Sequence, residues 1–299
     1  MRAYVIGNVA IDETISVSSM PQAGASILGR EETRDLGGKG ANQAVVMGRS
    51  GLPTTLISAI GEDHRGRMIA EQLAHEPVEA SLVSLADRPS DFSIIFTTPD
   101  GENAIVTTTE SAEALSLEAA TERLATAQPG DLVALQGNLS EHATRGILAL
   151  ARDRDLATAF NPSPLRPYHP DLLPLTDTVF VNEGEAEHLS GASGEAAVRA
   201  LLAAGAKRVV LTLGARGALL AEAGGNIAAI PAVRAKAVDT TGAGDTFMAV
   251  ALASAALRGV AIDTRAVAHG AAAAALTVSR RGTRSAFPSP DELAAILAG

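Results

Sequence analysis

Short runs of apolar and β-branched residues alternate with helical stretches through most of the chain. The runs predict buried strands at residues 4–6, 55–60, 132–135, 158–160, 179–181 and 209–213. Helices are predicted between several of these strands, at residues 41–49, 67–74, 117–127, 141–152 and 195–204, and in the alanine-rich last third, at residues 243–257, 263–278 and 291–297. Alternation of this kind is typical of an α/β fold whose mainly parallel sheet carries helices on both faces.

Two regions interrupt the alternation with paired β-forming segments that have no helix between them. They are residues 13–17 with 26–35, and residues 92–98 with 104–109. The second pair is separated by Asp100-Gly101, a hairpin turn signal. These segments predict a small antiparallel sheet that forms a lid over the carboxyl edge of the main sheet, where open α/β sheets bind ligands. We therefore expect one domain, residues 1–299, with lid segments at about 12–35 and 90–109.

Composition and charge narrow the class of protein. Of the 299 residues, 46% are hydrophobic but only 3% are aromatic, so the core must be built from Ala, Val, Leu and Ile. A net charge of −10 argues against nucleic acid or an anionic membrane as a partner, although a local basic pocket remains possible. The absence of cysteine excludes disulfides, thiolate metal sites and cysteine nucleophiles. Since the sequence contains neither a signal peptide nor a long apolar segment, we expect a cytoplasmic protein.

Two common phosphate-binding fingerprints are missing. The P-loop pattern G-x-x-x-x-G-K-[S/T] fails because Gly40, and not Ser or Thr, follows Lys39. The pattern G-x-G-x-x-G does not follow the first predicted strand, which disfavours a nicotinamide-dependent dehydrogenase.

The best candidate anion site is "DTTGAGDTF", residues 239–247, at the start of an alanine-rich helix. Gly242 and Gly244 would let a ligand approach the unsatisfied amides of the first helical turn. The alternative is an ordinary helix N-terminus capped by Asp245 or Thr246. If the amides hold a phosphoryl group in transit, Asp245 is placed to take the proton of the attacking hydroxyl.

At this point the chain resembles the ribokinase-like carbohydrate kinases, the PfkB family. The resemblance covers nearly the whole chain and rests on stretches that occur in the family's order. They are "GGKGANQA" (residues 37–44), "NPSP" (161–164), "VNEGEAEHL" (181–189), "LTLGARGALL" (211–220) and "DTTGAGDTF".

The resemblance implies a three-layer sandwich with a small β lid that often forms a dimer interface. It also implies Mg²⁺-dependent transfer of the ATP γ-phosphoryl group to a sugar hydroxyl. By position, Asp245 becomes the catalytic base, and Gly242, Ala243 and Gly244 form the anion hole.

For the sugar pocket, the resemblance implies Asp12, Gly38, Lys39 and Asn42. Asp12, which we expect at the end of the first strand, matches the acid that holds two neighbouring sugar hydroxyls. Without the resemblance, Asp12 would be a capping or turn aspartate, and residues 37–40 a glycine turn with a surface lysine.

For the nucleotide, the resemblance implies Asn182 and Glu185, the N-x-x-E motif that organises magnesium and phosphate through water. Taken alone, these two residues indicate a helix N-terminus with an acidic first turn. The loop beside the ATP phosphates and ribose matches Thr212, Gly214 and Gly217. His269 matches a residue near adenine, with a purely structural role as the alternative.

A potassium site beside the anion hole is also implied. Asp239 and Thr241 match one half of it, and the loop of residues 279–286, with Arg280 and Gly282, would supply backbone carbonyls. Ala286 stands where ribokinases have a serine, which removes one ligand.

Two departures from the family pattern fall in the sugar pocket. Ala10 replaces an asparagine, and Asn138 replaces a glutamate. A buried site that lacks a polar group tolerates a substrate that lacks its partner hydroxyl. We therefore expect a pentose-like substrate, such as ribose, 2-deoxyribose or a related sugar, and a homodimer formed through the lid. The alternatives are a nucleoside kinase of the same fold and a non-catalytic sugar sensor.

Overall fold

The computed structural model describes residues 1–100 and 102–299, so Gly101 of the expected turn lies outside the described residues. Its strands are β1 Ala3–Ile6, β2 Ala10–Val17, β3 Gly29–Gly37, β4 Thr54–Gly61, β5 Glu79–Leu85, β6 Phe92–Thr97, β7 Asn103–Thr107, β8 Leu132–Gln136, β9 Ala157–Asn161, β10 Thr178–Asn182, β11 Arg208–Thr212, β12 Ala218–Glu222 and β13 Ala228–Ile230. Its helices are α1 Lys39–Arg49, α2 His64–Leu73, α3 Glu110–Ala114, α4 Leu117–Arg123, α5 Glu141–Asp153, α6 Glu183–Ser190, α7 Gly194–Ala203, α8 Ala243–Arg258, α9 Thr264–Val278 and α10 Pro290–Ala298.

The main sheet has the strand order β13-β12-β11-β10-β9-β8-β1-β4-β5. All pairings from β5 through to β11 are parallel, while β11 with β12 and β12 with β13 are antiparallel. This confirms the predicted α/β fold with a mainly parallel sheet. Because parallel strands end at the same edge, the segments that follow β1, β8, β10 and β11 open onto one side of the molecule.

Side chains of each central strand alternate between two helical layers. In β1, Ala3 and Val5 belong to the core that includes α1, α8 and α9, whereas Tyr4 and Ile6 face the core that includes α4 and α5. The helix α8 is buried from Asp245 to Ala256, and its partner α9 packs closely because Gly270 carries no Cβ. A Cβ there would lie 2.6 Å from the carbonyl oxygen of Phe247. The small residues of the last third therefore permit close helix packing.

The lid is a four-stranded sheet with the order β3-β2-β6-β7. Its two hairpins, β2 with β3 and β6 with β7, are antiparallel, while the β2–β6 pairing that joins them is parallel. The first lid strand begins at Ala10, four residues after β1 ends at Ile6, so the lid rises from the carboxyl edge of the main sheet. Asp12 is therefore part of a lid strand and does not belong to the end of the first strand. Among the described residues, no helix has the length and apolar character needed to cross a membrane.

Candidate active site

The N-terminus of α8 has the geometry of an anion site. Gly242 is its N-cap with φ 73°, and a Cβ at this position would meet the Phe287 ring at 2.7 Å. Within the described residues, no side chain caps this helix end. Gly244 is exposed, and an added Cβ there would meet no described atom within 4 Å. The first turn is thus open to a ligand at Gly244, and Asp245 beside it is largely buried, at 6% exposed.

Two amide side chains of α1 hold the Asp245 carboxylate. Asn42 Nδ2 donates to Asp245 Oδ2 over 3.0 Å, and Gln43 Nε2 donates to Asp245 Oδ1 over 3.0 Å. The two predicted signature motifs, about 200 residues apart along the chain, therefore meet at one carboxylate. Hydrogen bonds to a carboxylate are charge-assisted, so both oxygens of Asp245 are held by strong contacts.

Glycines bring the start of α1 against the segment that follows β1. Gly38, the N-cap, has φ 90°, and a Cβ there would lie 2.9 Å from Val9 Cα. A Cβ at Gly40 would lie 2.7 Å from the carbonyl oxygen of Asn8. Lys39, the first residue of α1, is half-buried between them. The predicted sugar-binding residues Gly38, Lys39 and Asn42 consequently share one helical turn beside Asp245.

Asp12 is the second buried acid of this region. It lies in β2, opposite Asp35 of β3, and Gly37 leaves room for its carboxylate. The pKa of Asp12 is raised to about 6, chiefly because the carboxyl group is buried, and the negative charges of Asp245 and Asp35 contribute to this rise. Hydrogen bonds from Ser93 and Thr283 act in the opposite direction. The two acids therefore lie close enough to interact electrically, and their neighbourhood favours a group that neutralises or hydrogen-bonds them.

The two departures from the family pattern are both buried. Ala10 is fully buried at the start of β2, and Asn138 is 3% exposed just after β8. Among the described residues, no hydrogen-bond donor serves the buried Asn138 Oδ1. A buried amide with an unused acceptor is suited to bind a ligand hydroxyl.

The N-x-x-E motif at the end of β10 forms a capping box on α6. Asn182 Oδ1 accepts from the Glu185 amide over 2.9 Å, and Glu185 Oε2 accepts from the Asn182 amide over 2.9 Å. This is the helix N-terminus that the sequence alone indicates. It also fixes the Glu185 carboxyl group at the carboxyl edge of the sheet, where the resemblance implies magnesium.

The loop after β11 contains the other predicted nucleotide residues. Thr212 ends β11, and a tight turn follows, in which Leu213 donates its amide to the Gly217 carbonyl over 2.8 Å. Gly214 and Gly217 both have positive φ, at 57° and 96°. A Cβ at Gly217 would lie 2.1 Å from the Ile230 carbonyl oxygen, whereas one at Gly214 would meet no described atom within 4 Å. Gly217 is thus required by the approach of β13, and Gly214 is on the open side.

His269 lies on α9, where it packs against α8. Its Nδ1 is 2.8 Å from Ser254 Oγ, and the residue is 6% exposed. Burial lowers the pKa of His269, and Arg265 and Arg258 lower it further. This contact matches the structural alternative for His269, and its place near adenine stays a prediction.

Both halves of the predicted potassium site come together around Asp239. Its Oδ1 accepts from the Thr241 amide over 2.9 Å, and its Oδ2 accepts from the Gly282 amide over 3.1 Å. The Arg280 side chain turns to Glu292 of α10, with which it forms an ion pair. Ala286 is buried and offers no side-chain oxygen. The loop of residues 279–286 is therefore tied to the turn that precedes the anion site.

Sequence reasoning missed Gln43, Gln136, Ser93 and Thr283. Gln136 Nε2 donates to Gln43 Oε1 over 2.7 Å, so both glutamines are connected to Asp245. The available signal was that Gln43 follows Asn42 directly in "GANQA", and that Gln136 ends a fully buried strand. A buried glutamine needs partners for its amide, which could have marked both positions.

Comparison with known proteins agrees with this architecture. A model of the pfkB family of carbohydrate kinases matches residues 3–290. The chain is 30% identical to the ribokinase of Haemophilus influenzae, over 96% of this chain and 95% of that protein. The solved ribokinase of Thermotoga maritima superimposes with a TM-score of 0.90 at 26% identity, covering 100% of both chains. The Arabidopsis thaliana ribokinase, solved with ribose and ATP, gives a TM-score of 0.86 at 26% identity, covering 100% of this chain and 99% of the other.

The sheet, the lid and the helix whose first turn holds a buried acid thus define a sugar kinase, a phosphotransferase with an alcohol acceptor. The chain belongs to the pfkB family of carbohydrate kinases. Its likeness to ribokinases extends over nearly all of its length.

Proposed function

We propose that this kinase transfers the γ-phosphoryl group of ATP to a hydroxyl of a pentose-like sugar, such as ribose, 2-deoxyribose or a related sugar. The observation that carries the proposal is the position of Asp245. It is buried in the first turn of a helix whose N-terminus is uncapped by described side chains, and the sugar signature of α1 hydrogen-bonds it.

In the proposed reaction, the sugar hydroxyl oxygen attacks the γ-phosphorus while the bond to the β-phosphate oxygen breaks. Asp245 accepts the hydroxyl proton, and ADP leaves. The amides of Gly242, Ala243 and Gly244 stabilise the charge on the phosphoryl oxygens in transit, as an uncapped helix N-terminus does. The helix dipole and these amides do not move during the step, so they need no reorganisation.

The sugar would lie between the lid and the start of α1. Asp12 would accept hydrogen bonds from two neighbouring hydroxyls, and Lys39 and Asn42 would donate to the sugar from one helical turn. Asn138 supports the assignment because its buried Oδ1 lacks a donor among the described residues. Ala10 offers no hydrogen bond, which favours a sugar with one hydroxyl fewer or differently placed at that point.

ATP would bind along the carboxyl ends of β10 and β11. Thr212, Gly214 and Gly217 would face its phosphates and ribose, with Asn182 beside them and His269 near adenine. Glu185 fits magnesium bound through water, because Mg²⁺ usually keeps several waters and takes one or two carboxylates plus substrate phosphates. The described residues hold no cluster of three acidic or histidine side chains that could bind a metal unaided. Bound Mg²⁺ would neutralise the β- and γ-phosphate oxygens.

The proposal also includes potassium and a partner subunit. Asp239, Thr241 and the carbonyls of Arg280 and Gly282 would hold K⁺ beside the anion hole, without a side-chain ligand from position 286. Residues 1–299 would act as one kinase domain, and the lid would pair with the lid of a second copy.

The deciding experiment measures ADP release from Mg-ATP over ribose, 2-deoxyribose, other pentoses, ketohexoses and nucleosides, with potassium or sodium. Turnover with one pentose that is lost in Asp245→Asn supports the proposal. Equal activity of Asp245→Asn would overturn the role of Asp245. A clear preference for nucleosides would replace the sugar by a nucleoside as substrate.

A further inference from the structure

A chain of buried amides leads away from Asp245 into the core. Gln136 Nε2 donates to Gln43 Oε1 over 2.7 Å, and Gln43 Nε2 donates to Asp245 Oδ1 over 3.0 Å. Both glutamines are 0% exposed. They come from different elements, since Gln43 lies on α1 and Gln136 ends β8 at the centre of the main sheet.

The chemistry of the carboxylate fixes the direction of every bond in this chain. An ionised Asp245 can only accept, so Gln43 must turn its NH₂ group toward Asp245. Gln43 then presents its oxygen to Gln136, which in turn must present its own NH₂ group. Gln136 Oε1 consequently faces away, and the described residues provide no donor for it. A buried acceptor without a partner is unfavourable. The hydrogen bonds from Gln136 through Gln43 to Asp245 are therefore kept although they leave Gln136 Oε1 unpaired among the described residues.

Gly7 makes the chain possible. A Cβ at Gly7 would lie 1.8 Å from Gln136 Oε1, so no larger residue fits while Gln136 keeps this conformation. Gly7 directly follows β1, the strand that pairs with β8. The glutamine pair is therefore built into the junction of the sheet with α1.

The two oxygens of Asp245 have different surroundings. Oδ1 is held by Gln43, which is fully buried and braced by Gln136. Oδ2 is held by Asn42, which is 7% exposed and belongs to the predicted sugar pocket. A sugar that lies beside Asn42 would therefore approach Asp245 from the side of Oδ2, while the fully buried Gln43 covers Oδ1.

We propose that Gln43, braced by Gln136, is a positioning residue that fixes Oδ1 of the catalytic base and leaves Oδ2 to receive the sugar proton. This inference rests on the proposed role of Asp245. It assigns the proton transfer to one atom and explains why two glutamines are buried beside a reactive carboxylate. Gln43 does not touch the substrate and acts only through Asp245.

The test compares Gln43→Met, Gln136→Met and the double variant with Asp245→Asn. Methionine keeps the length of the side chain and removes the amide. We expect Gln43→Met to lower kcat by roughly 30- to 100-fold, because a displaced catalytic group commonly costs about that much. The KM for sugar and for ATP should change by less than about threefold, because neither ligand contacts Gln43. Gln136→Met should lower kcat by about tenfold.

The double variant separates positioning from a general loss of stability. If Gln136 acts only through Gln43, the double variant has the kcat of Gln43→Met, whereas independent effects would multiply. Ser50→Ala is the matched control, because it removes another buried hydrogen bond of α1, from Ser50 Oγ to the Val46 carbonyl over 2.8 Å, at the far end of the helix. It should lower the melting temperature and leave kcat unchanged.

Each outcome has a definite meaning. If Asp245→Asn is inactive while Gln43→Met keeps kcat within about threefold of wild type, positioning is wrong and the proposed base stands. If Asp245→Asn stays active, the proposed role of Asp245 as the base fails, and the premise of this inference fails with it. If Gln43→Met does not fold, Gln136→Met decides: an unchanged kcat, or a raised KM with unchanged kcat, overturns the inference.

Discussion

Arg284 and Asp35 form an ion pair in which Arg284 Nε lies 3.0 Å from Asp35 Oδ1. Arg284 belongs to the loop of the predicted potassium site, and Asp35 belongs to lid strand β3. Asp35 lies opposite Asp12 in the β2–β3 pairing, and its charge raises the pKa of Asp12. Arg284 therefore offsets a negative charge that would otherwise disfavour the ionised form of the predicted sugar-binding acid.

Removal of this arginine should weaken sugar binding in a pH-dependent way. In Arg284→Gln the charge of Asp35 is no longer offset, so the pKa of Asp12 should rise further, by a small amount because the ion pair is partly exposed to solvent. Calorimetric titration with sugar from pH 5 to 8 should show the acidic limb displaced to higher pH. Arg145→Gln, which breaks an exposed ion pair with Glu141 on α5, serves as the control and should not displace it. If the acidic limb of sugar affinity lies at the same pH in both variants, Arg284 does not influence the ionisation of Asp12.

Sugar affinity itself should follow the ionisation of Asp12. Only the carboxylate can accept hydrogen bonds from two hydroxyls, and the pKa of Asp12 is raised to about 6. We expect affinity for the sugar to fall as the pH drops through about 6, and ATP affinity to change much less. Affinity that is constant down to pH 5 would show that Asp12 is not the sugar-binding acid.

The raised pKa of Asp12 gives the stability of the fold the opposite pH dependence to that of sugar affinity. Because the folded-state pKa of Asp12 lies above its ordinary value of 3.8, the folded protein holds a proton that the unfolded chain has released between pH 4 and 6. The free energy of unfolding should therefore decrease as the pH rises through this window. Asp12→Asn removes the penalty, so it should stabilise the protein at pH 7.5 by on the order of 2 kcal/mol and have little effect at pH 4. Urea unfolding of both proteins at both pH values tests this prediction. If the variant and the wild type differ in free energy of unfolding by the same amount at pH 7.5 and pH 4, the prediction is wrong.

Gly37 should be indispensable to the sugar pocket. An added Cβ would lie 2.1 Å from Asp12 Oδ2, so Gly37→Ala must displace the carboxylate. We expect Gly37→Ala to lose at least about tenfold in sugar affinity, the worth of one displaced charge-assisted hydrogen bond, with ATP affinity retained. The control is Gly225→Ala, whose Cβ would meet its nearest atom, the Glu222 carbonyl oxygen, at 3.3 Å. Retained sugar affinity in Gly37→Ala would place the sugar elsewhere.

Ala10 should govern the choice between ribose and 2-deoxyribose. Ala10→Asn introduces a polar group at a fully buried position, where an unpaired amide is costly unless a hydroxyl pairs with it. The ratio of kcat/KM for ribose to that for 2-deoxyribose should rise by about tenfold or more, since one such hydrogen bond is worth about 1–3 kcal/mol. The comparison requires both substrates with both enzymes. If this ratio is unchanged in Ala10→Asn, Ala10 does not determine the choice between the two sugars.

The outer lid strand should take part in self-association. In β7, Ile105 and Val106 are 50% and 63% exposed, an unusual exposure for large apolar residues on the edge of a sheet. Val106→Glu should convert a dimer to a monomer because it buries a charge in the interface. Sedimentation velocity measures both proteins, with Val260→Glu, another exposed valine, as the control. A monomeric wild type would exclude the lid dimer.

The central strands could be predicted because their residues are buried on both faces and form continuous apolar runs. The strands β5, β12 and β13 were not predicted. β5 is at the edge and reads "EASLVSL", with Glu79 and Ser81 exposed or half-buried, and β13 has only three residues. Such strands owe their structure to the neighbouring strand more than to their own pattern. Residues 124–127, predicted as helix, lie beyond α4, which ends at Arg123.

Residues of the candidate site could be predicted only where they stand together in a short sequence motif. The glycines and Asp245 stand together in one short stretch, so their helix N-terminus was readable. The bond between Gln136 and Gln43 spans 93 residues, and no local pattern indicates which buried amides will meet. The raised pKa of Asp12 likewise depends on burial beneath a lid whose parallel β2–β6 pairing was not predicted.

That parallel pairing also orders events during folding. Ile11 pairs with Phe92, so the two lid hairpins can join only after the intervening chain, with α1, β4, α2 and β5, has folded back on itself. Closing such a long loop is entropically expensive before other contacts hold its ends together. The pairing of β1 with β4, which closes a shorter loop, should therefore form before the two lid hairpins join. Asp12, which lies opposite Ser93 in this pairing, would then reach its place in the sugar pocket only when the two hairpins have joined.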